Sequence, residues 1–208
     1  AFLGVRPAQK VAYYVIASPA GAYFQGGGKP VSIWLSEDYS RAGKGGTGAA
    51  KTGGNYAASL LPQSVAYENE CDQVVFLDQD GNVEELGGMN VVFVYKDGTL
   101  VTPESPSILE GITRDSILQL ARDRGHKVEG RSISLAQWRT DVASGDIVEV
   151  FACGTAAVVT PIGLLKSRDF ADEQPTGELA LSLREELTDI QYGRRDDVHG
   201  WLTRLDAE

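Results

Sequence analysis

The chain has 208 residues, 42% of them apolar and 23% charged, with a formal net charge of −10. That balance describes an ordinary folded domain able to bury a core without staples. The negative charge argues against a nucleic-acid backbone or an anionic membrane surface as partner, while leaving room for a small anion in a local pocket.

The elements follow in chain order. Residues 11–17 (VAYYVIA) are rich in β-formers and read as a buried strand. Too short to cross a bilayer, they are nonetheless the longest apolar run. No basic leader followed by an apolar stretch opens the chain. Gly26-Gly27-Gly28-Lys29-Pro30 is a turn cluster before a strand at residues 31–35. Residues 39–54 read as loop. From Asn55 onward Ala57, Leu60, Leu61 and Val65 share a helical face, which Pro62 is expected to disturb.

Residues 73–77 form a strand ended by a turn at 78–81, and residues 83–86 could pair back on it. The runs 90–95 and 99–102 flank Lys96-Asp97-Gly98, a strong hairpin signal. Residues 111–116 lead into a helix with Ile117, Leu120 and Ala121 on one face. Asp115 lies in its first turn, Arg122 and Arg124 in its last, and Gly125 stops it. A short helix is expected at 135–143 and strands at 147–151 and 156–159. Leu179, Leu183 and Leu187 mark a final helix closed by Gly193. Roughly eight strands and four helices make a mixed α/β or α+β domain.

Cys71 and Cys153 are the two cysteines, too few and too far apart for a disulfide framework or a zinc site. They read as structural thiols in a reducing, cytoplasmic setting, and no metal is expected. His126 and His199 lack ligand partners in sequence, so surface or capping roles are expected. The only methionine is Met89, and the opening Ala1-Phe2-Leu3-Gly4 reads as a chain that has lost an upstream part.

Candidate chemistry centres on GGTGAAKTGGNYAASLLPQ, residues 45–63. Its first eight residues fit the phosphate-binding pattern G-x-x-x-x-G-K-[ST] except that Ala50 replaces the second glycine. Alanine resists the positive φ which that turn needs. Gly53 and Gly54 would also fall in the first turn of the following helix, at about 1 kcal/mol each against alanine. Both features weigh against a nucleotide loop. The alternative use of Lys51 is nucleophilic, because a neutral amine attacks a carbonyl and a protonated one does not. An exposed loop lysine without a role is the plain reading from composition alone.

The stretch Gly-Thr-Gly-Ala-Ala-Lys-Thr-Gly-Gly-Asn-Tyr-Ala-Ala-Ser-Leu at 46–60 resembles the cofactor-lysine segment of branched-chain amino-acid aminotransferases, pyridoxal-phosphate enzymes of fold type IV. Further segments agree in order: ASPAGAYF (17–24), ELGGMN (85–90), GITRD (111–115), FACGTA (151–156) and TDIQYG (188–193). The resemblance implies an α+β fold, the mixed-sheet, barrel-like large domain of fold type IV enzymes. It implies residues 1–10 as the remnant of an interdomain connection, residues 11–208 as the large domain, and a small N-terminal domain missing. The implied reaction exchanges the amino group of leucine, isoleucine or valine with 2-oxoglutarate by a ping-pong route, in a cytoplasmic homodimer acting on amino acids and 2-oxo acids.

By resemblance Lys51 would hold pyridoxal 5′-phosphate covalently and move the proton at the substrate α-carbon. Glu85 would pair with the pyridine nitrogen, and Tyr56 would hydrogen-bond the phenolic oxygen. Leu100 would pack on the ring face. The amides of Ile112 and Thr113, at a helix start suited to anions, and the Thr155 hydroxyl would grip the phosphate. Gly88, Thr155 and Ala156 would line the substrate carboxylate site. Glu110 departs from the family, standing where many relatives carry proline. The absent domain would take with it a phosphate-binding arginine and aromatic pocket residues, so the isolated chain is expected to be weakly active or inactive. Competing readings are another fold type IV enzyme (a D-amino-acid aminotransferase or an aminodeoxychorismate lyase) and a non-catalytic truncated domain.

Overall fold

The computed structural model describes residues 3–21 and 29–205. The turn cluster at 26–28, Phe2 and the end of the 17–24 segment lie outside the described residues. Nine strands and five helices are found among those described.

Strands β1 (Val31–Ser36), β2 (Gln73–Leu77), β3 (Val83–Leu86), β4 (Asn90–Tyr95), β5 (Leu100–Thr102), β6 (Val128–Gly130), β7 (Ile147–Gly154) and β8 (Val158–Lys166) form one mixed sheet in the order β3-β2-β1-β8-β7-β4-β5-β6. A short β9 (Ala171–Glu173) flanks the end of β8. β1 runs parallel to both β2 and β8, whereas β4, β7 and β8 pair antiparallel. β3 and β4 are separated in this order by β2, β1, β8 and β7, yet the Leu86 N–H donates to the Met89 carbonyl at 2.9 Å. The sheet must therefore curl until its β3 edge meets β4. This gives the barrel-like form that the resemblance implied.

Alternation along the strands separates the cores, since successive side chains point to opposite faces. Val91 and Phe93 of β4 face the barrel interior with Val150 and Ala152 of β7. Val92 and Val94 face outward with Phe151 and Cys153, under helices α3 (Ile112–Asp123) and α5 (Glu178–Gln191). A smaller cluster places Trp34, Val74 and Phe76 beneath helix α2 (Leu60–Glu68). Helix α4 (Leu135–Ser144) closes the interior with Trp138, edge-on to Phe93 at 5.0 Å. It is capped by Ser134, whose side chain accepts from the Gln137 amide, and ends at Gly145 with φ +76°.

Several expectations change on folding. Residues 11–17 form no strand: Val11, Tyr13, Tyr14, Val15 and Ile16 are all at least 80% exposed. β-propensity expresses fit to a pleated, half-buried surface, and among the described residues nothing pairs with this segment. The helix around Pro62 divides at Ser59 into α1 (Gly53–Ala58) and α2. Proline lacks the N–H that would bond the carbonyl four residues back, and its ring crowds that carbonyl. α1 begins at Gly53, so the two glycines do occupy a first helical turn. β8 runs on through Pro161 to Lys166, well past the expected end at 159. His126 Nδ1 meets the Gly98 carbonyl at 2.9 Å, and His199 pairs with Asp123 at 2.6 Å.

Candidate active site

Lys51 is the last residue but one before α1. Its Nζ donates to the Tyr56 hydroxyl at 2.9 Å and lies 4.9 Å from that ring's centre. The glycine-rich loop that delivers it is stapled from within. Asn55, buried in α1, donates to the carbonyls of Thr47 and Ala50 at 2.8 and 2.9 Å, and its own side-chain carbonyl accepts from the Thr47 hydroxyl at 2.7 Å. Gly48 comes so close to the 105–107 loop that an added Cβ would stand 2.0 Å from the Ser107 carbonyl oxygen. Only glycine permits that approach.

Beneath this loop lies Glu85, 3% exposed, on β3. Its Oε1 pairs with the Arg41 guanidinium at 2.8 Å and accepts from the Leu109 amide at 2.9 Å, while Oε2 accepts from the Asn90 side-chain amide at 3.2 Å. Burial nevertheless pushes the carboxyl up to about 7, against the pull of Arg41 and the Leu109 N–H. Arg41 also donates to the carbonyls of Gly48, at 2.8 Å, and Ser107. One cation thus ties the lysine loop to the buried carboxylate.

Asn90 extends the network to the start of α3. It donates to the Leu109 carbonyl at 2.9 Å and occupies the space a Cβ on Gly111 would need, its Oδ1 2.1 Å from that position. Gly111 is the N-cap and carries no side-chain cap. The first-turn amides of Ile112 and Thr113 therefore have neither an intrahelical partner nor a side-chain acceptor at the cap. Ile112 is largely exposed. Such a helix start attracts anions through its N–H groups and dipole.

On the other side, Tyr56, Gly88, Met89 and Ala156 line one open groove with Gln73 and Tyr67. Thr155 and Ala156 sit on the exposed turn between β7 and β8. That turn is held near Gly88 by Gly154, where an added Cβ would meet Met89 Cγ at 3.1 Å and the Gly88 carbonyl at 3.4 Å. Lys51, Tyr56, Glu85, Gly88, Ile112, Thr113, Thr155 and Ala156 thus belong to one connected region.

Leu100 does not. It is fully buried in the outer core against Ile117 and Leu120, paired with Val94 and Val128. A strand side chain packed under α3 cannot also face an open cleft. The leucine at the site is Leu109, whose backbone binds both Glu85 and Asn90. The sequence pattern gives Arg41 and Asn90 no role, though both contact Glu85. Asn90 had a usable signal, closing the segment that Glu85 opens; Arg41 had none. Cys153 lies close by but is wholly buried, which pushes its thiol up to about 12 and leaves it inert.

A curled mixed sheet thus sets a loop lysine beside a tyrosine, near a buried carboxylate and an uncapped helix start. The chain belongs to the amino-transferase class IV family, whose profile matches residues 3–165. It is 58% identical to the branched-chain-amino-acid aminotransferase of Mycolicibacterium smegmatis and 57% identical to that of Mycobacterium tuberculosis. Both alignments cover 98% of this chain and 58% of the relative. The solved branched-chain amino acid aminotransferase from Thermobaculum terrenum, in its PLP-bound holo-form, superposes with a TM-score of 0.73 at 33% identity, over 85% of this chain and 56% of that one. The chain spans somewhat over half the length of the relatives it matches.

Proposed function

We propose that this chain is the cofactor-binding large domain of a pyridoxal-phosphate-dependent branched-chain amino-acid aminotransferase. The whole enzyme exchanges the amino group of leucine, isoleucine or valine with 2-oxoglutarate. The observation that carries the reading is the Lys51–Tyr56 pair, joined through Gly48 and Arg41 to buried Glu85. The names of the relatives support the substrate class; in the same proposal residues 1–10 are an interdomain connection and 11–208 the large domain. A cytoplasmic homodimer remains part of the same proposal.

The residues fit the cofactor. Two open amides at a helix start suit a phosphate, a buried carboxylate suits a protonated ring nitrogen, and a loop lysine suits an aldehyde. Bound there, pyridoxal phosphate supplies an electron sink for charge developing at the substrate α-carbon. The chain's own groups do the rest. Lys51 would anchor the cofactor, and its amine would be the base that carries a proton at the substrate α-carbon. The Tyr56 hydroxyl orients that amine and meets the cofactor's phenolic oxygen. Glu85 holds positive charge on the ring nitrogen. The amides of Ile112 and Thr113 and the hydroxyl of Thr155 take the phosphate. Leu109, in place of Leu100, would pack against the ring. Thr155 and Ala156 would offer backbone N–H groups to the substrate carboxylate, with Gly88 lining the same space.

Borohydride reduction of the chain with pyridoxal phosphate, followed by peptide mapping, tests the reading. Label is expected on Lys51; label confined to other lysines overturns it.

A further inference from the structure

The Arg41 guanidinium is an unusual object for the floor of a site. Its side chain is 3% exposed, and a single nitrogen, Nη2, faces three oxygens: Glu85 Oε1, the Gly48 carbonyl and the Ser107 carbonyl. Nη2 has only two hydrogens to share among them. The Nε–H, also buried, has no partner among the described residues. A buried ion pair with an orphaned donor is a poor way to gain stability, since desolvation consumes most of the attraction and apolar replacements are often neutral or better. The arrangement makes sense if the charge itself has a task.

We propose that Arg41 is a positioning residue of the site, the cation that keeps Glu85 able to ionise at neutral pH. This rests on reading Glu85 as the partner of the cofactor's ring nitrogen. A carboxylate there stabilises a protonated ring, whereas a neutral carboxylic acid donates a hydrogen bond and favours the unprotonated one. Glu85 is buried deeply enough for desolvation to favour its neutral form. Among the described residues, the ionisable groups that act on it are few: Arg41 and Arg114 favour the charged form and neighbouring Glu84 opposes it, with the Cys153 thiol also within reach. Of the two cations, Arg41 makes the direct contact. Its grip on the Gly48 and Ser107 carbonyls keeps it from following the carboxylate if Glu85 shifts. Arg41 thus acts through Glu85 and touches no reacting atom.

The test needs no cofactor. In chains labelled with ¹³C at glutamate carboxyls, the Glu85 titration is assigned by its loss in Glu85→Gln. Arg41→Gln keeps a donor for the neighbouring carbonyls but removes the charge, and is expected to raise the Glu85 midpoint by roughly 1 to 3 pH units. Arg41→Lys places a shorter, more strongly hydrated cation there and is expected to raise it by less. A midpoint in Arg41→Gln equal to that of the parent overturns the proposal. If Arg41→Gln does not fold, Arg41→Met, which also removes the charge and is the kind of apolar replacement a buried ion pair often tolerates, is read in its place, and an unchanged midpoint there overturns the proposal equally. A shifted midpoint alongside failed labelling of Lys51 would sink the cofactor reading and leave the Arg41–Glu85 linkage standing; the reverse pair of results would do the opposite.

Discussion

The Lys51 amine and the Tyr56 hydroxyl are hydrogen-bonded at 2.9 Å across the start of α1, five residues apart in a chain that turns from loop to helix between them. The contact is exposed, so its contribution to folding is small, and its value lies in aiming the amine. Tyr56→Phe removes the partner and leaves the ring. Pyridoxal-phosphate affinity is expected to fall by about tenfold, the worth of one hydrogen bond to a charged group, while borohydride still labels Lys51. Equilibrium titration of cofactor absorbance checks the affinity, and peptide mapping the label. Unchanged affinity would remove Tyr56 from the site.

Much of the fold is legible in the chain, and what is not has physical causes. β4 and β7 are apolar on both faces because the sheet is covered on both sides, so runs such as VVFV signalled buried strands. The same signal misled at residues 11–17, where strand-forming side chains meet no pairing edge among the described residues. β6 and β9 have three residues each, too short for any period to show. Leu100 and Leu109 are the same residue type on either side of one loop, and only the packing of α3 decides which is buried. Arg41 was invisible because its partners come from residues 48, 85 and 107, which nothing in the chain order brings together.

Glu85 should leave a mark on stability against pH. Its folded value of about 7 lies above the ordinary 4.5 because burial disfavours the charge. The folded chain therefore keeps a proton that the unfolded chain has released, and Glu85's stabilising contribution is present below about 4.5 and lost as pH rises towards about 7. At about 1.4 kcal/mol per pH unit the loss amounts to roughly 3 kcal/mol. Glu85→Gln cannot titrate. Denaturant unfolding at pH 5 and pH 8 should show the parent's stability relative to Glu85→Gln declining by up to about that much. A flat difference would mean that Arg41 outweighs burial over the whole range.

Glu149 on β7 supplies a different kind of anchor. Its two carboxylate oxygens accept from the Leu179 and Ala180 amides, each at 3.0 Å, at the first turn of α5. It is 8% exposed and fills the space beside Gly177, where an added Cβ would lie 2.1 Å from Oε1. A negative charge at a helix start that also satisfies two open amides stabilises through both effects. Glu149→Gln keeps one acceptor and is expected to cost about 1 kcal/mol; Glu149→Ala leaves the buried Ala180 amide and the half-buried Leu179 amide without this partner and should cost about 2 to 4 kcal/mol. Chemical denaturation distinguishes them. Equal losses in the two variants would show that charge, rather than the pair of hydrogen bonds, holds α5.

Gly48 gives the sharpest link between local geometry and the lysine. Its carbonyl accepts from Arg41 at 2.8 Å, and its Cα faces the Ser107 backbone so closely that a methyl group would penetrate the carbonyl oxygen. Ser107 is fixed in turn by its hydroxyl, which donates to buried Glu84, so the 105–107 loop cannot easily withdraw. In Gly48→Ala the glycine-rich loop must therefore move, carrying Lys51 and breaking the Arg41 contact. The expected cost is about 1 to 3 kcal/mol of stability, the usual range for overpacking. A larger effect is expected on covalent capture of the cofactor by Lys51, because a displacement of this kind misplaces the amine relative to Tyr56 and Glu85. The rate of borohydride-trapped labelling, compared at a temperature where both chains are folded, separates the two effects. Equal labelling rates would show that the loop's closeness to Ser107 has no part in presenting the lysine.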